Sequence, residues 1–332
     1  MEMRRLGAFG PLVSSVSLGA MSLSGMYGAT TESETMRLLS RSVELGINHI
    51  DLADIFGMGL GEELIGRFLA QSRARLVLAT KAGVRFVPAT GERRIDNSPA
   101  YLRAALEKSL KRLGRDHVEL FYVHRRDGER PIEDVVATLA DLKREGKIGG
   151  IGLSEVSPET LRRASRVTRI SAVQSEYSLW TRGVEAEMLA TCRDLGVAFI
   201  AFSPLGRGML TGGPIDPATF GRGDFRRANP RFQEPAFGQN RTAIDAFVAL
   251  AAKRGVPPSA LAIAWVLAAD RHVIAIPGTR SVEHLEIDAL AATLRMSAAD
   301  RAEIAAVFPD GFPWGERYAE GQLLGVEPSS NL

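Results

Sequence analysis

Short runs of consecutive apolar residues alternate along this chain with longer segments whose apolar positions recur every three or four residues. The short runs cover residues 16–20, 47–51, 76–80, 118–124, 150–153, 172–174, 199–202 and 273–276. They lack the in-out alternation of a half-solvated strand, as a parallel sheet buried on both faces requires. Segments such as 101–113 and 132–143 carry the period of amphipathic helices. Eight strand-helix units in 332 residues predict an α/β fold, a closed (β/α)8 TIM barrel rather than an open doubly wound sheet. No Gly-x-Gly-x-x-Gly follows the first strand, which argues against a Rossmann half. Residues 12–16, after Gly10-Pro11, predict part of an N-terminal β-hairpin closing the lower end of the barrel. Residues 204–239 form the longest irregular stretch, and a loop of that length at the barrel's C-terminal face points to function. No internal boundary interrupts residues 1–332, so the expectation is one barrel domain.

Composition narrows the partners. The formal net charge is +2, from 41 Lys and Arg against 39 Asp and Glu, and the basic clusters are short and scattered. Neither nucleic acid nor a membrane surface is therefore expected as a partner, and no apolar run is long enough to span a bilayer. The single cysteine, Cys192, falls in the apolar run of an expected helix and reads as a buried inert thiol. With no cysteine to pair with and no signal core at the N-terminus, the expected location is cytoplasmic. The five histidines show no paired ligand spacing, so no metal site is expected, and His49 precedes a strand end and faces away from it. A homo-oligomer is left open.

Catalytic groups of an eightfold barrel sit where its strands end. Read in order, those ends carry Asp51, Lys81, His124, Ser154-Glu155, Gln174, Phe202-Ser203 and Pro277-Gly278. Ser154 reads equally well as a helix cap. Asp, Lys and His converging from three successive strand ends are harder to assign to packing.

The stretch from His49 to Gly57 (HIDLADIFG) resembles the signature of the aldo-keto reductases, NADP(H)-dependent barrel enzymes. The likeness extends over nearly the whole chain. It includes VLATK up to Lys81, FYVHR around His124, residues 149–155, QSEYS from Gln174, FSPLGRG from Phe202 and IPGT from Ile276. The resemblance implies reduction of aldehydes or ketones to alcohols by hydride transfer. Asp51 and Lys81 would tune a tyrosine that protonates the carbonyl oxygen, and His124 would orient that oxygen. At the tyrosine's position stands Phe56, which has no hydroxyl. The resemblance therefore leaves three readings: a reductase impaired at its proton donor, a non-catalytic or regulatory NADP(H)-binding barrel, or redox chemistry with another proton path. An engineered tyrosine-to-phenylalanine replacement and a natural variant read alike in sequence. Tyr27 is the nearest alternative phenol by sequence logic.

By the same resemblance, Ser154, Glu155 and Gln174 would hold the nicotinamide carboxamide, and Phe202 with Ser203 would flank the ring. Leu205, Gly206, Arg207 and Gly208 would wrap the pyrophosphate. Pro277, Gly278 and Thr279 would lead to Arg280 and His284 at an adenosine 2′-phosphate, with Asp288 at the adenine. Arginine suits a phosphate dianion, which favours NADP(H) as the cofactor. Met21, Tyr27, Phe86 and Trp180, with Phe56, would wall the pocket of a small-molecule carbonyl substrate.

Overall fold

The computed structural model describes residues 1–87, 92–221 and 224–328. Its strands are β1 (Met3–Arg5), β2 (Leu12–Ser14), β3 (Leu18–Gly19), β4 (His49–Asp51), β5 (Val77–Ala82), β6 (Val84–Phe86), β7 (Arg93–Ile95), β8 (Val118–Val123), β9 (Ile148–Ser154), β10 (Ala172–Glu176), β11 (Ala198–Phe202) and β12 (Val273–Ile276). Strands β3, β4, β5 and β8 to β12 form one eight-stranded sheet whose neighbours follow chain order. Every pairing in it is parallel. The two ends of the sheet meet. Val16 bridges Ala275 in parallel, the Ser17 N–H donates to the Ala275 carbonyl at 2.8 Å, and the Ala275 N–H donates to the Ser15 carbonyl at 2.9 Å. These contacts join the last strand to the first and give the (β/α)8 TIM barrel.

The first barrel strand is shorter than its apolar run. Only Leu18 and Gly19 join the ladder to β4, because the chain turns at Ala20 into a short 3₁₀ helix, Ala20–Ser24. The antiparallel pair β1 and β2 is the expected hairpin, beginning earlier in the chain than residue 12. A second antiparallel pair, β6 and β7, stands directly after β5. Sequence reading missed it, because its alternation of Val84, Arg85 and Phe86 is too short to register as a strand.

The helices α1 (Glu32–Glu44), α2 (Leu60–Gln71), α3 (Pro99–Leu113), α4 (Ile132–Arg144), α5 (Pro158–Val167), α6 (Met188–Leu195), α7 (Ala236–Lys253), α8 (Pro258–Leu267), α9 (Val282–Leu290) and α10 (Ala298–Ala305) complete the ordered elements. Their starts are written in the sequence. Thr31 and Glu34 form a reciprocal capping box at α1, and Ser98-Pro99 and Ser157-Pro158 place a capping hydroxyl before a proline at the first helical position. Cys192 is wholly buried within α6, and burial pushes its thiol pKa up.

Side-chain alternation divides the core into two layers. Ala79, Leu120, Tyr122, Ala172, Ala198, Ile200, Ile274 and Ile276 cluster together inside the barrel, with Leu6 and Val13 of the hairpin region as its floor. Their strand neighbours Leu78, Phe121, Ile151, Val173, Phe199 and Val273 join the layer under the helices. The interior has room for one large ring at mid-height because of Gly152: a Cβ there would lie 2.2 Å from the Tyr122 ring.

The long stretch after β11 is not featureless. It folds as 3₁₀ turns at Gly206–Thr211, Pro217–Thr219, Phe225–Ala228 and Pro230–Phe232 before α7 begins at Ala236. The segment after α10 crosses the barrel mouth. The Asn229 side chain donates to the Arg317 carbonyl at 2.8 Å, Asn240 donates to the Trp314 carbonyl at 2.8 Å, and the Glu327 N–H donates to the Glu155 carbonyl at 2.9 Å. Among the described residues no helix is long and apolar enough to cross a membrane.

Two outcomes test this packing. Gly152→Ala forces the Tyr122 ring to shift, and the overpacking should lower unfolding free energy by about 1–3 kcal/mol in urea titration; an unchanged midpoint would refute the close contact. Asp288 on α9 is 2% exposed, and burial, opposed by the Ser259 hydroxyl, raises its carboxyl to about 7. The folded state thus holds a proton that the unfolded chain releases near pH 4, so stability falls as pH climbs through about 7. Asp288→Asn should be more stable than the parent by on the order of 1–3 kcal/mol at pH 8, with no gain below pH 4. Parallel stability curves across that range would contradict this.

Candidate active site

The same alternation that fills the interior delivers polar groups to its upper rim. Lys81 lies two residues beyond Ala79, His124 two beyond Tyr122, Ser154 two beyond Gly152, Gln174 two beyond Ala172 and Phe202 two beyond Ile200. Each therefore inherits the inward direction of its strand. Asp51 ends β4 beside them. The Lys81 ammonium, 1% exposed, forms an ion pair with Asp51 and donates to the Leu52 carbonyl at 2.6 Å. The other Asp51 oxygen accepts from the Gln174 amide at 2.8 Å. A lone ammonium at this depth would be strongly disfavoured, and the hydrogen-bonded carboxylate is what holds it there. Burial lowers the Lys81 pKa, Asp51 opposes that shift, and the charge of Arg125 adds to it.

Phe56 opens a 3₁₀ turn, Phe56–Gly59, and is half-buried. Lys81 Nζ lies 5.5 Å from the centre of its ring. The His124 ring meets it edge-on, with ring centres 6.0 Å apart and planes at 89°. Tyr122 lies on the interior side, its ring centre 5.3 Å from the same ammonium. Burial, then the charges of Arg125, Lys81 and Arg93, push the His124 pKa well down, so the imidazole is neutral at physiological pH. Its Nδ1 is buried without a partner. His49 points elsewhere, to the Ser17 hydroxyl at 3.1 Å.

Sequence reading overlooked four residues at this site. Asp54, two residues before Phe56, has its pKa raised to about 7 by burial and then by Glu62. Arg125, adjacent to His124, donates to the His124 carbonyl at 2.7 Å and to the Ser154 hydroxyl at 3.0 Å. Arg317 and Tyr318 arrive from the C-terminal segment. Adjacency to Phe56 and His124 was an available signal for Asp54 and Arg125. Nothing in the local sequence marks Arg317.

That segment changes the expected roles of two residues. Glu155 has a left-handed backbone at φ 55°; its carboxylate accepts from the Glu176 N–H at 2.9 Å and pairs with Arg317. Arg207, with φ 59° between Gly206 and Gly208, donates to Glu176 at 3.0 Å and to the Arg317 carbonyl at 2.9 Å. Its side chain is 1% exposed, so its charge meets a buried glutamate and does not project as a free cation. Arg317 also donates to Glu176 at 2.8 Å. Burial would raise the Glu176 pKa, yet Arg207, Arg317 and Arg231 together hold it at about 2.

The remaining positions spread around the rim. Ser203 has a left-handed φ of 50°, and Leu205 and Phe202 are half-exposed. The Pro277 carbonyl accepts from the Gly19 N–H at 2.9 Å, and the Thr279 carbonyl accepts from the Ser22 hydroxyl at 2.9 Å. Gly278, Arg280 and His284 are exposed; Arg280 donates to the Ala29 carbonyl, and the His284 N–H is capped by Ser281 at 3.2 Å. Asp288 is buried against α8 and presents no carboxylate at the surface. Met21 and Tyr27 are half-buried, and Phe86 is exposed at the end of β6. Tyr27 faces Arg226, whose guanidinium is 5.5 Å from its ring centre. Burial, opposed by Arg207 and Arg226, pushes its phenol up to about 12, so it is poorly placed to replace a tuned tyrosine. Trp180 is no pocket wall. It is 0% exposed and packed against Phe232, Phe312 and Arg231, because the long loop and the C-terminal segment close over it. A cleft of about 330 Å³ lies between Tyr27 and the loop residues Ile215, Phe220, Asp224 and Arg226.

Comparison with known proteins agrees with this geometry. The profile of the Aldo/keto reductase family matches residues 15–308. An NADP(+) aldo-keto reductase of Schizosaccharomyces pombe, yakc, is 38% identical over 314 residues, covering 93% of this chain and 92% of that one. A probable aldo-keto reductase of Glycine max is 38% identical over 322 residues, covering 96% and 92%. Among solved structures, the glycerol dehydrogenase of Gluconobacter oxydans superposes with a TM-score of 0.84 at 30% identity, covering 92% of this chain and 94% of that one. An aldo-keto reductase of Bacillus halodurans does so with a TM-score of 0.76 at 25% identity, covering 94% and 98%. With its barrel, its rim of strand-end polar groups and these relatives taken together, the chain belongs to the aldo/keto reductase family.

Proposed function

We propose that this chain is an NADP(H)-dependent oxidoreductase that reduces aldehydes or ketones to alcohols, in a form slowed because Phe56 stands where a tyrosine would donate the proton. The observation that carries the reading is the buried Lys81–Asp51 pair beside a neutral His124 at one rim of the barrel. NADP(H) is favoured by the NADP(+) in the name of the Schizosaccharomyces pombe relative and by the exposed Arg280 guanidinium.

The rim fits such a cofactor. Gly278 has no side chain in a position where a Cβ would lie 3.0 Å from the Gly19 carbonyl, which keeps the backbone of that turn close to the sheet. Ser154, which accepts from Arg125, retains its own O–H to donate to a carboxamide oxygen, and Gln174 keeps its amide oxygen for a carboxamide N–H. The half-exposed Phe202 ring would stack on the nicotinamide. Residues 205–208 would pass the pyrophosphate, with Arg280 and His284 at the 2′-phosphate. Bound NADPH supplies the hydride that reaches the carbonyl carbon.

The chain's own residues then manage the charge that develops on oxygen. His124, neutral, donates a hydrogen bond to the carbonyl oxygen and fixes its direction. The Lys81 ammonium, behind the Phe56 ring, stabilises negative charge on that oxygen electrostatically in a site shielded from bulk water. What is missing is a hydroxyl between them. Deleting a positioned acid costs a factor of about 10² to 10⁴, or roughly 3–5 kcal/mol of barrier. Met21, Tyr27 and Phe86 would border the substrate. The second reading, an NADP(H)-binding protein without turnover, is favoured by the same missing hydroxyl.

Three measurements test these readings. NADPH fluorescence titration should show saturable binding, and its absence would remove both. Turnover of 4-nitrobenzaldehyde should rise by about 10² to 10⁴ in Phe56→Tyr, whereas a flat rate would mean the tyrosine's position is not what limits this site. In that restored background, Lys81→Met should remove most of the gain; retention of full activity would show that the lysine does not tune the phenol.

A further inference from the structure

The charges around the barrel mouth do not balance on the His124 side. Lys81 is matched by Asp51. Glu155 and Glu176 are matched by Arg207 and Arg317. Arg93 and Arg125 have no carboxylate partner among the described residues. The segments outside them, 88–91, 222–223 and 329–332, contain no Asp or Glu in their sequence. The nearby acids do not answer them: Asp54 stands among Glu62, Arg112 and Lys81, and the others are engaged elsewhere. Asp96 accepts from the Ser98 N–H and pairs with Arg85, while Asp127 accepts from the N–H groups of Asn97, Glu129 and Arg130.

Arg125 is fixed by hydrogen bonds, and Arg93 takes its place from the β6–β7 hairpin. Arg125 is 7% exposed, with one terminal nitrogen fixed on the His124 carbonyl and the Ser154 hydroxyl at 2.7 and 3.0 Å. Its own carbonyl is anchored by the Asn97 amide at 3.0 Å. Arg93 starts β7 opposite Phe86 in the hairpin that rises from the end of β5. The Nε atoms of both are buried without a hydrogen-bond partner. An unpaired buried guanidinium N–H is costly unless something supplies an acceptor. The two cations are also close enough to His124 that both help to hold its imidazole unprotonated. A neutral carbonyl compound would leave this excess positive charge unanswered, whereas an anion at the guanidinium ends of both arginines would offset it. A carboxylate matches the planar fork of arginine better than a point anion does.

We infer that the substrate is an oxo acid, a carbonyl compound whose carboxylate is held by Arg93 and Arg125 beside His124. This rests on the reading of the rim as a carbonyl-reducing site, and it adds the substrate's charge to that reading. Arg93 lies on the hairpin and Arg125 on the strand end, so the two grip the anion from different elements and fix which end of the molecule faces His124.

Binding can be measured on the chain as it is, where Phe56 slows turnover, by calorimetric titration with 4-carboxybenzaldehyde and with its neutral counterpart 4-formylbenzamide. NADP+-loaded protein cannot reduce either compound, and unloaded protein is titrated in parallel. The carboxylate should bind about tenfold or more tightly than the amide, and that ratio should fall to within about twofold in Arg93→Gln. Arg125→Gln should collapse it as well, and Arg125→Lys, which keeps the charge in a less demanding substitution, should retain part of it. Equal affinities for the two compounds, or a preference that survives Arg93→Gln, would overturn the inference. Failure of NADP+ to bind would count against the proposed function, while the carboxylate preference of the unloaded protein would still decide this point.

Discussion

The buried ion pair between Lys81 and Asp51 is the constraint around which the rim is arranged. An ammonium 1% exposed survives at the top of an apolar barrel because a carboxylate and a carbonyl accept from it. Asp51 and the Leu52 carbonyl come from one strand end, and Gln174, which steadies the second Asp51 oxygen, comes from the far side of the barrel. Three strands are thereby tied to one charge. The lysine's height above Tyr122, its approach to the Phe56 ring and its effect on His124 follow from that anchorage. Replacing a phenol by a phenyl ring leaves the anchorage untouched, because none of those hydrogen bonds involves residue 56.

How much of this was legible in the sequence depended on whether the signal was local. Apolar runs without alternation identified the barrel strands because burial on both faces leaves no polar positions inside them. Their ends located Asp51, Lys81, His124 and Gln174, and the structure brings Asp51, Lys81 and Gln174 into direct contact. The runs were poorer guides where a strand is short. Leu18–Gly19 owes its place to closure against β12, a contact more than two hundred residues away along the chain, and the hairpin of β6 and β7 has too few residues to set a period.

Pairings distant in sequence were not legible at all. Arg207 reads as a free cation in a glycine-rich loop until Glu176 and Arg317 are seen to surround it. Trp180 reads as a pocket aromatic until the long loop and the C-terminal segment bury it. Asp288 reads as an adenine contact by resemblance until α9 turns it inward against Ser259 of α8. In each case the side chain's direction was decided by a segment distant in sequence.

The C-terminal segment also sets the electrostatics of the mouth. By delivering Arg317 to Glu155 and Glu176, it neutralises the acidic side of the rim with a cation from outside the barrel. Without Arg317, Glu155 would lose its ion-pair partner and Glu176 would keep only Arg207 as an ion-pair partner. With it, both glutamates are paired, while on the side where His124 stands Arg93 and Arg125 have no carboxylate partner among the described residues. A barrel interior built by strict alternation places polar groups on a rim but does not decide their net sign. Here the strap supplies the partner of Glu155 and Glu176, while Arg125 from a strand end and Arg93 from the β6–β7 hairpin set the sign beside His124.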